Sequence, residues 1–493
     1  MRVVVALPLV TFAAYGAFSL PGLWRDWHVS PSALVIVAAW LAIAALPLMM
    51  LRRTSPIPML ATMAVLAIAL RIGMALLVDG RAPLGDARSY VILAQHLSEG
   101  RGLVIFDPFM GVETRALYPP VYPILLSAWG AAMGLSTGSL TLIGTVVDLA
   151  TAAAMIALAQ RLGRRSAGIA AAWLYLIWPS VLSSAPLAQK EGVCALLAVL
   201  LALQWIKIAQ ETKLQAVRSA GDDTQRDPGT GARWWRASVP LGVTAGLLAL
   251  TQPGEAPLAV LFGLVAATIC GWRRMIAIGL RAVPFAVLVL MPWWIRNAIL
   301  FGGFVPLTSA GGYGLWIGNN PDATGHWMAP PRQLDGMPEI QLSKAAAALA
   351  VEWIFTHPVT FVRLTATKAL RAWGVAESGA SRFADLRPSI TPAITAIVFG
   401  VSQAAHLGLL AGAAFATYIR KAPGGALASL LVLACIAQTL VFGVWFEFGE
   451  RHRDFATPFL LLLVAFGCSS AAAYRETRRS NAGEVVGPGD RER

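Results

Sequence analysis

Residues 85–123, GDARSYVILAQHLSEGRGLVIFDPFMGVETRALYPPVYP, follow directly on an apolar span in a chain that is otherwise greasy almost throughout. The stretch places a carboxylate at the mouth of a span, then a short amphipathic run, then a proline-rich return toward the next apolar helix. Asp86 stands at the start of the run and Gly100 at its end, the positions of an N-cap and a C-terminal stop. Tyr90, Leu93, Ala94 and Leu97 fall near one face, as in a helix lying in the bilayer interface. Tyr118-Pro-Pro-Val-Tyr122-Pro123 holds the chain extended before the next helix, because proline restricts itself and the residue before it. Such an arrangement points to chemistry at a membrane surface.

Composition agrees. Of 493 residues, 57% are hydrophobic and 13% charged, against about 25% charged in soluble domains. The expected fold is an all-α polytopic membrane protein of about twelve transmembrane helices, with interfacial helices in its outer loops. Spans are placed at 3–23, 33–51, 57–78, 140–162, 167–187, 192–208, 239–251, 257–272, 276–300, 390–418, 426–446 and 455–474. The first is read as an uncleaved span rather than a signal peptide, since it lacks a small-residue cleavage site. Divided by region, 1–55 carries two N-terminal helices, 56–301 a membrane core with its first outer loop at 79–139, and 302–388 an outer-face region with amphipathic helices. Residues 389–474 carry the C-terminal spans, and 475–493 a disordered cytoplasmic tail. The polar stretch 219–236 also reads as disordered.

The net charge of +13 is not laid out as a nucleic-acid-binding stripe. Basic residues sit in clusters between spans: Arg52/Arg53, Arg161/Arg164/Arg165, 207–236, Arg273/Arg274, Arg420/Lys421 and Arg475/Arg478/Arg479. All fall on one side of the predicted topology, which the positive-inside rule makes cytoplasmic. The chain is therefore expected in the cytoplasmic (inner) membrane, with its acidic, Trp- and Gly-rich loops on the periplasmic or extracytoplasmic side. No phosphate-binding loop or dinucleotide fingerprint occurs. Cys194, Cys270, Cys435 and Cys468 lie in apolar segments without paired or metal-type spacing and read as small core residues.

Chemistry-bearing residues converge on the outer loops. Asp86, partly desolvated, is suited to take a proton from an acceptor hydroxyl, although capping is an equally natural role. Lys190-Glu191 follows the fifth span, as an exposed ion pair or as a second acid beside a cation. Glu255, in Thr251-Gln-Pro-Gly-Glu255, is similarly placed. Arg296 in Pro292-Trp-Trp-Ile-Arg296 either snorkels or forks onto a phosphate. Tyr313 lies in a Gly-rich segment that lets backbone approach a ligand. Residues 357–373 read as a basic amphipathic surface anchor. Glu450-Arg451-His452-Arg453 packs four ionisable groups at a bilayer edge, where such clusters bind something charged. Inside the bilayer an unpaired charge is costly, so Arg71 is expected to pair with Asp148.

These residues in this order resemble the GT-C superfamily of integral-membrane glycosyltransferases, and within it the bacterial branch related to protein O-mannosyltransferases and the aminoarabinose transferase of lipid A. The resemblance runs from about Arg71 to Tyr474. It rests on GDARSYVILAQHLSEGRG with LYPPVYPILL, QRLGRRSAGIAAAWLYLIWPS, LLALTQPGEAP, PWWIRNAILFGGFVPLTSAGGYGLWIGNNP, HPVTFVRLTATKALRAW and ERHRDFATPFLLL. It implies a sugar carried on a polyprenyl phosphate, transferred outside the cytosol to a lipid, polysaccharide or protein acceptor, with Asp86 as catalytic aspartate. The chain departs from the family pattern where Ala87 replaces a second acid and where Gln252-Pro253-Gly254-Glu255 replaces Arg-Pro-Glu. Two spans also precede the usual first one.

The residues suit inverting transfer on chemical grounds too. A base is needed near the attacking hydroxyl and cations near the departing phosphate. Asp86 is the expected base, with Lys190, Arg296, Arg451 and Arg453 toward the phosphate. Tyr90, Tyr118, Glu191 and Tyr313 complete the candidate substrate-binding set. No cofactor is indicated, and a divalent metal, though compatible, is not called for by any DxD motif in the loop. Membrane lipids are expected partners and nucleic acid is not. A secondary transporter, or a translocator of lipid-linked substrate, is the rival reading; it would be expected to show two similar halves and midplane ionisable groups, and no half-repeat is evident. A non-catalytic scaffold would have no reason to gather Asp86, Lys190, Glu191 and Arg296 on one face.

Overall fold

A computed structural model describes residues 2–31, 33–50, 56–219, 230–418, 424–447 and 449–468. Helices dominate because the apolar runs must satisfy their own backbone polar groups in lipid. In chain order they are α1 (Arg2–Asp26), α2 (Ala33–Met50), α3 (Pro56–Val78), α4 (Gly85–Ser98), α5 (Val121–Met133), α6 (Thr137–Arg161), α7 (Arg165–Leu176) and α8 (Pro179–Ser184). Then come α9 (Glu191–Ser219), α10 (Thr230–Thr251), α11 (Leu258–Cys270), α12 (Trp272–Phe301), α13 (Ala310–Gly318), α14 (Glu339–Thr356) and α15 (Pro358–Gly374). The last are α16 (Ser378–Ala384), α17 (Pro392–Tyr418), α18 (Gly425–Gln438) and α19, residues 457–468.

Among the described residues, eight of these helices are long and apolar enough to cross a membrane, or nine if the pair α14–α15, bent by 109°, is one span. Every predicted span corresponds to a helix or, for 167–187, to the broken pair α7–α8. The protein is thus an all-α polytopic membrane protein. The predicted span 455–474 is helical to 468, and its last residues lie outside the described set. So do the tail at 475–493 and the basic clusters at 52–53, 420–421 and 475–479. The stretch read as disordered is described only from 230, where α10 has already begun.

The two N-terminal helices are not loosely appended. In α2, Trp40 Nε1 donates to Ile177 O at 2.9 Å, and Trp173 Nε1 donates back to Ala44 O at 3.0 Å. At Gly16 a Cβ would lie 2.2 Å from Gly374 O, so α1 crosses the end of α15 at a distance only glycine allows. Phe12 stacks on Trp373 beside this crossing. The predicted intramembrane pair is present: Arg71 Nη2 meets Asp148 Oδ2 at 2.6 Å, and Arg71 Nη1 donates to Leu176 O at 2.8 Å.

Two short ladders organise the loops at one end of the bundle. Strands β1 (Ala82–Pro83) and β4 (Leu386–Arg387) pair antiparallel, tying the start of α4 to the segment after α16. Strands β2 (Ile105–Asp107) and β3 (Val112–Thr114), which lie between them in sequence, form a hairpin, whose turn is fixed by Asp107 Oδ1 accepting from the amides of Phe109 and Met110. Glu339 anchors this loop from α14, its carboxylate accepting from Arg115 N at 2.7 Å, Ala116 N at 2.9 Å and the Ser309 hydroxyl. Glu339→Ala should strand these donors, at about 1–3 kcal/mol each if they stay buried. The expected outcome is faster limited proteolysis within 100–118 than in the parent protein; an unchanged cleavage rate would deny Glu339 this anchoring role.

The amphipathic reading of α4 holds, but its partner differs. Ala87, Tyr90, Leu93 and Ala94 are buried, and Tyr90 and Ala94 join Tyr122 and Leu126 of α5 in the main core. The apolar face packs on protein rather than on lipid, since α5 folds back over it.

Candidate active site

Asp86 is not the N-cap of α4. Leu84 holds that position in extended conformation without a side-chain cap, leaving the Asp86 carboxylate free to turn elsewhere. Arg451 Nη1 donates to Asp86 Oδ2 at 2.7 Å, and the Tyr118 hydroxyl lies 3.3 Å from Oδ1 and 3.1 Å from Ser89 Oγ. One turn on, the Tyr90 ring meets Tyr118 and Tyr122 edge-on at centroid distances of 5.3 and 5.0 Å. Lys190 Nζ sits 5.8 Å from the centroid of the same ring. The Tyr90 hydroxyl is buried and has no hydrogen-bond partner among the described residues.

The 3₁₀ turn Glu450–Ala456 explains why this cluster assembles. A three-residue period sends successive side chains to different neighbours. Glu450 accepts from the amides of Glu377 and Ser378 at the start of α16. Arg451 reaches Asp86 and, through Nη2, Glu447 at 3.7 Å. His452 Nδ1 lies 3.3 Å from Gln252 Nε2. Arg453 donates to Ala372 O, and to Val375 O at 2.7 Å, locking the end of α15. Asp454 faces Arg382 of α16 at 3.7 Å, and Arg382 also meets Glu191 at 3.6 Å and donates to Ser184 Oγ.

Electrostatics separate the groups. Burial pushes the Asp86 pKa up, but Arg451, Lys190 and the Tyr118 hydrogen bond together hold it below the usual carboxylate value. Glu447 is raised by burial in spite of Arg451. Burial also lifts Asp454 to about 6 against the pull of Arg382 and Arg453. His452 is kept neutral by burial and by the adjoining Arg451 and Lys190. Burial raises the Tyr90 and Tyr118 phenols, with Asp86 adding to it, so both are donors at neutral pH. In Arg451→Met, burial is left less opposed and the Asp86 pKa should rise. The acid limb of any Asp86-dependent activity is then expected to move to higher pH; a limb that stays or moves down would contradict the pairing.

The structure thus unites Asp86, Tyr90, Tyr118, Lys190 and Arg451, with Glu191 beside them. It separates three other candidates. Arg296 stacks 4.5 Å over Trp293 and bonds Asn297 Oδ1 and Leu103 O, with Glu339 and Arg115 rather than Asp86 as its charged neighbours. Arg453 points into the bundle, because a 3₁₀ turn puts it on the Glu450 side and not the Arg451 side. Tyr313 donates to Met328 O and packs with Met110, Trp316 and Leu342. Glu191 is buried against Arg382, not paired with its sequence neighbour Lys190. Glu255 is buried in the 3₁₀ turn Pro253–Glu255, one carboxylate oxygen lacking a hydrogen-bond partner among the described residues.

Sequence reasoning passed over Arg382, Glu447 and Asp454. Arg382 lies on a seven-residue helix inside a long loop, where no periodicity marks a buried face. Asp454 was visible only as the residue after the ERHR cluster. No three His, Cys, Asp or Glu side chains among the described residues are grouped so as to hold a metal ion.

Beside this cluster, residues of α5, α6, α8 and the start of α9 line a small, partly open pocket of about 40 Å³. Tyr122, Leu140, Val147 and Val193 line it together with Asp148, Glu191 and Asp454.

No family model matches the chain, and no curated protein matches it. Among solved structures the chain is similar to the oligosaccharyltransferase of Archaeoglobus fulgidus. The apo form superposes with a TM-score of 0.50 at 15% identity, over 88% of this chain and 52% of that one. The form tethered to an acceptor peptide containing the NVT sequon gives 0.49 at 15% identity over 88% and 52%. The chain therefore spans about half the length of that enzyme. What the two share is the fold, a polytopic helical architecture.

Proposed function

We propose that this protein is a membrane glycosyltransferase that moves a sugar from a polyprenyl phosphate to a hydroxyl acceptor, with inversion, on the extracytoplasmic side of the cytoplasmic membrane. The observation that carries the reading is Asp86 shared between Arg451 and Tyr118, with Lys190 at hand, at one end of an apolar helical bundle. The fold likeness to an oligosaccharyltransferase supports it by analogy.

The acceptor oxygen attacks the anomeric carbon from the face opposite the phosphate. The bond from that carbon to the phosphate oxygen breaks, its electron pair leaves with polyprenyl phosphate, and the hydroxyl proton passes to Asp86. Arg451 and Lys190 carry the charge that grows on the leaving group. Paired with Arg451, Asp86 is a weak base. An arriving phosphate competes for that guanidinium, so Asp86 gains basicity when the donor is in place. The phenols of Tyr90 and Tyr118 remain donors toward sugar or phosphate oxygens.

The acceptor is a lipid, a polysaccharide or a protein. The peptide bound by the archaeal enzyme belongs to that enzyme and makes a protein acceptor the first to try. The test is incubation of purified protein with polyprenyl phosphate carrying a radiolabelled sugar, scoring free polyprenyl phosphate and the anomeric configuration of the product. Release with inversion is expected. Solute uptake into liposomes without any such release would replace this reading with a transporter. Sidedness follows from Arg101→Cys on the exposed loop, which an impermeant maleimide should label from outside the cell and not from the cytosol.

A further inference from the structure

Lys368 belongs to the segment whose pattern reads as a basic surface anchor, yet the residue is only 1% exposed. Its ammonium donates to two main-chain carbonyls, Gly318 O at 3.0 Å and Phe446 O at 3.3 Å. An ammonium only donates, and Gly318 O stands at the C-terminal end of α13, where the helix dipole favours a cation. The loop before α14 closes over the lysine stem. At Gly325, whose φ is +91°, a Cβ would lie 2.6 Å from Lys368 Cγ.

The Phe446 carbonyl belongs to the peptide unit that carries the Glu447 amide, and that amide donates to Gly314 O at 2.9 Å. One peptide plane is therefore gripped at both ends, its oxygen by Lys368 and its nitrogen by α13. Helix α13 also presses on it directly, since a Cβ at Gly318 would run into the Phe446 carbonyl carbon. Earlier on α15, Phe361 stacks on Trp445 at 5.5 Å. Glu447 in turn stands 3.7 Å from Arg451 Nη2, while Arg451 Nη1 donates to Asp86. Arg451 lies on a turn that Glu450 and Arg453 tie separately to α16 and the end of α15.

From this arrangement we infer that Lys368 is a positioning residue for Glu447: it fixes the peptide that aims the Glu447 carboxylate at Arg451, and so sets how that guanidinium is divided between Glu447 and Asp86. The inference rests on the proposed function and deepens it, by naming what adjusts its base. If Glu447 swings away, the separately anchored Arg451 stays and pairs with Asp86 alone. A like charge also leaves the neighbourhood of Asp86. Both changes keep Asp86 ionised to lower pH and make it a weaker base. Lys190, His452, Tyr90 and Tyr118 also lie near Asp86, and none of them sits on this peptide.

The test takes two readouts from the purified full-length protein. Hydrogen exchange, read by mass spectrometry, needs no turnover. In Lys368→Met, peptides covering Glu447 should exchange about tenfold faster, the worth of a lost hydrogen bond. The acid limb of kcat/KM for sugar transfer should move down by about half a pH unit, opposite in sign to Arg451→Met. Gly318→Ala keeps the charge but displaces the same peptide, and should move the limb the same way. Glu447→Gln should do so too, and Lys368→Met should add nothing in that background. Arg363→Met, which removes an exposed charge from the same helix, should leave both readouts at their parental values. An unchanged exchange rate at Glu447, an upward shift of the limb, or full additivity of Lys368→Met with Glu447→Gln would overturn the inference. If the parent protein transfers no sugar, the proposed function falls. Active protein whose limb stays in place in both Lys368→Met and Gly318→Ala removes this inference alone.

Discussion

Asp86→Asn is expected to lower sugar transfer by about three orders of magnitude, within the range general bases contribute, and to leave the protein folded. Asparagine has nearly the same shape and keeps an oxygen for Tyr118. It cannot take the acceptor's proton, and it presents no charge to Arg451. The site is partly open, with 23% of the Asp86 side chain exposed, so an amide there is not trapped without water. Arg451 keeps Glu447 as a partner at 3.7 Å. Initial rates measured beside thermal unfolding of the same preparation check both halves. Near-parental turnover would remove Asp86 from the reaction; a collapsed melting transition would make it a structural residue.

The second large effect lies in the bundle. Arg71→Ala alone should destabilise by about 3–5 kcal/mol, and Asp148→Ala by a similar amount, because each leaves its partner charged and buried. Arg71 and Asp148 are 1% and 4% exposed, so the stranded group has little access to solvent. Removing both eliminates the stranded charge, and the double variant should lose less stability than the two single changes added. Arg71 also donates to Leu176 O and Ala67 O, so part of its cost persists in the double variant. A double variant worse than the sum would show that the two residues do not act as a pair. Thermal unfolding in detergent, with recovery of monodisperse protein as a second readout, measures the cycle.

What could be read from the sequence follows the physics of lipid. Span positions were legible because length and apolarity suffice to specify a helix in hydrocarbon. The Arg71–Asp148 pair was legible because a lone charge at that depth demands a partner. Asp86 stood out by its place at a span mouth, yet its contact with Arg451, 365 residues away, is set by tertiary packing. Arg296 read as a phosphate ligand, but an adjacent Trp293 face and a carbonyl take its guanidinium locally. Arg453 read as equivalent to Arg451, but the 3₁₀ geometry of the turn separates them. Arg382, on a short helix tied down through β1 and β4, carries no local signal of burial at all. The α4 face was correctly drawn, although nothing local says that α5 would cover it.

Transfer by this route requires a lipid-borne sugar to meet Asp86 with its phosphate between Lys190 and Arg451. The most direct measurement is a cryo-EM structure of the Asp86→Asn protein incubated with decaprenyl phosphoglucose. Phosphate density within hydrogen-bonding reach of Lys190 and Arg451, with the anomeric carbon facing residue 86, is the expected result. Phosphate seated at Arg296, or a donor bound away from the Asp86 cluster altogether, would contradict it.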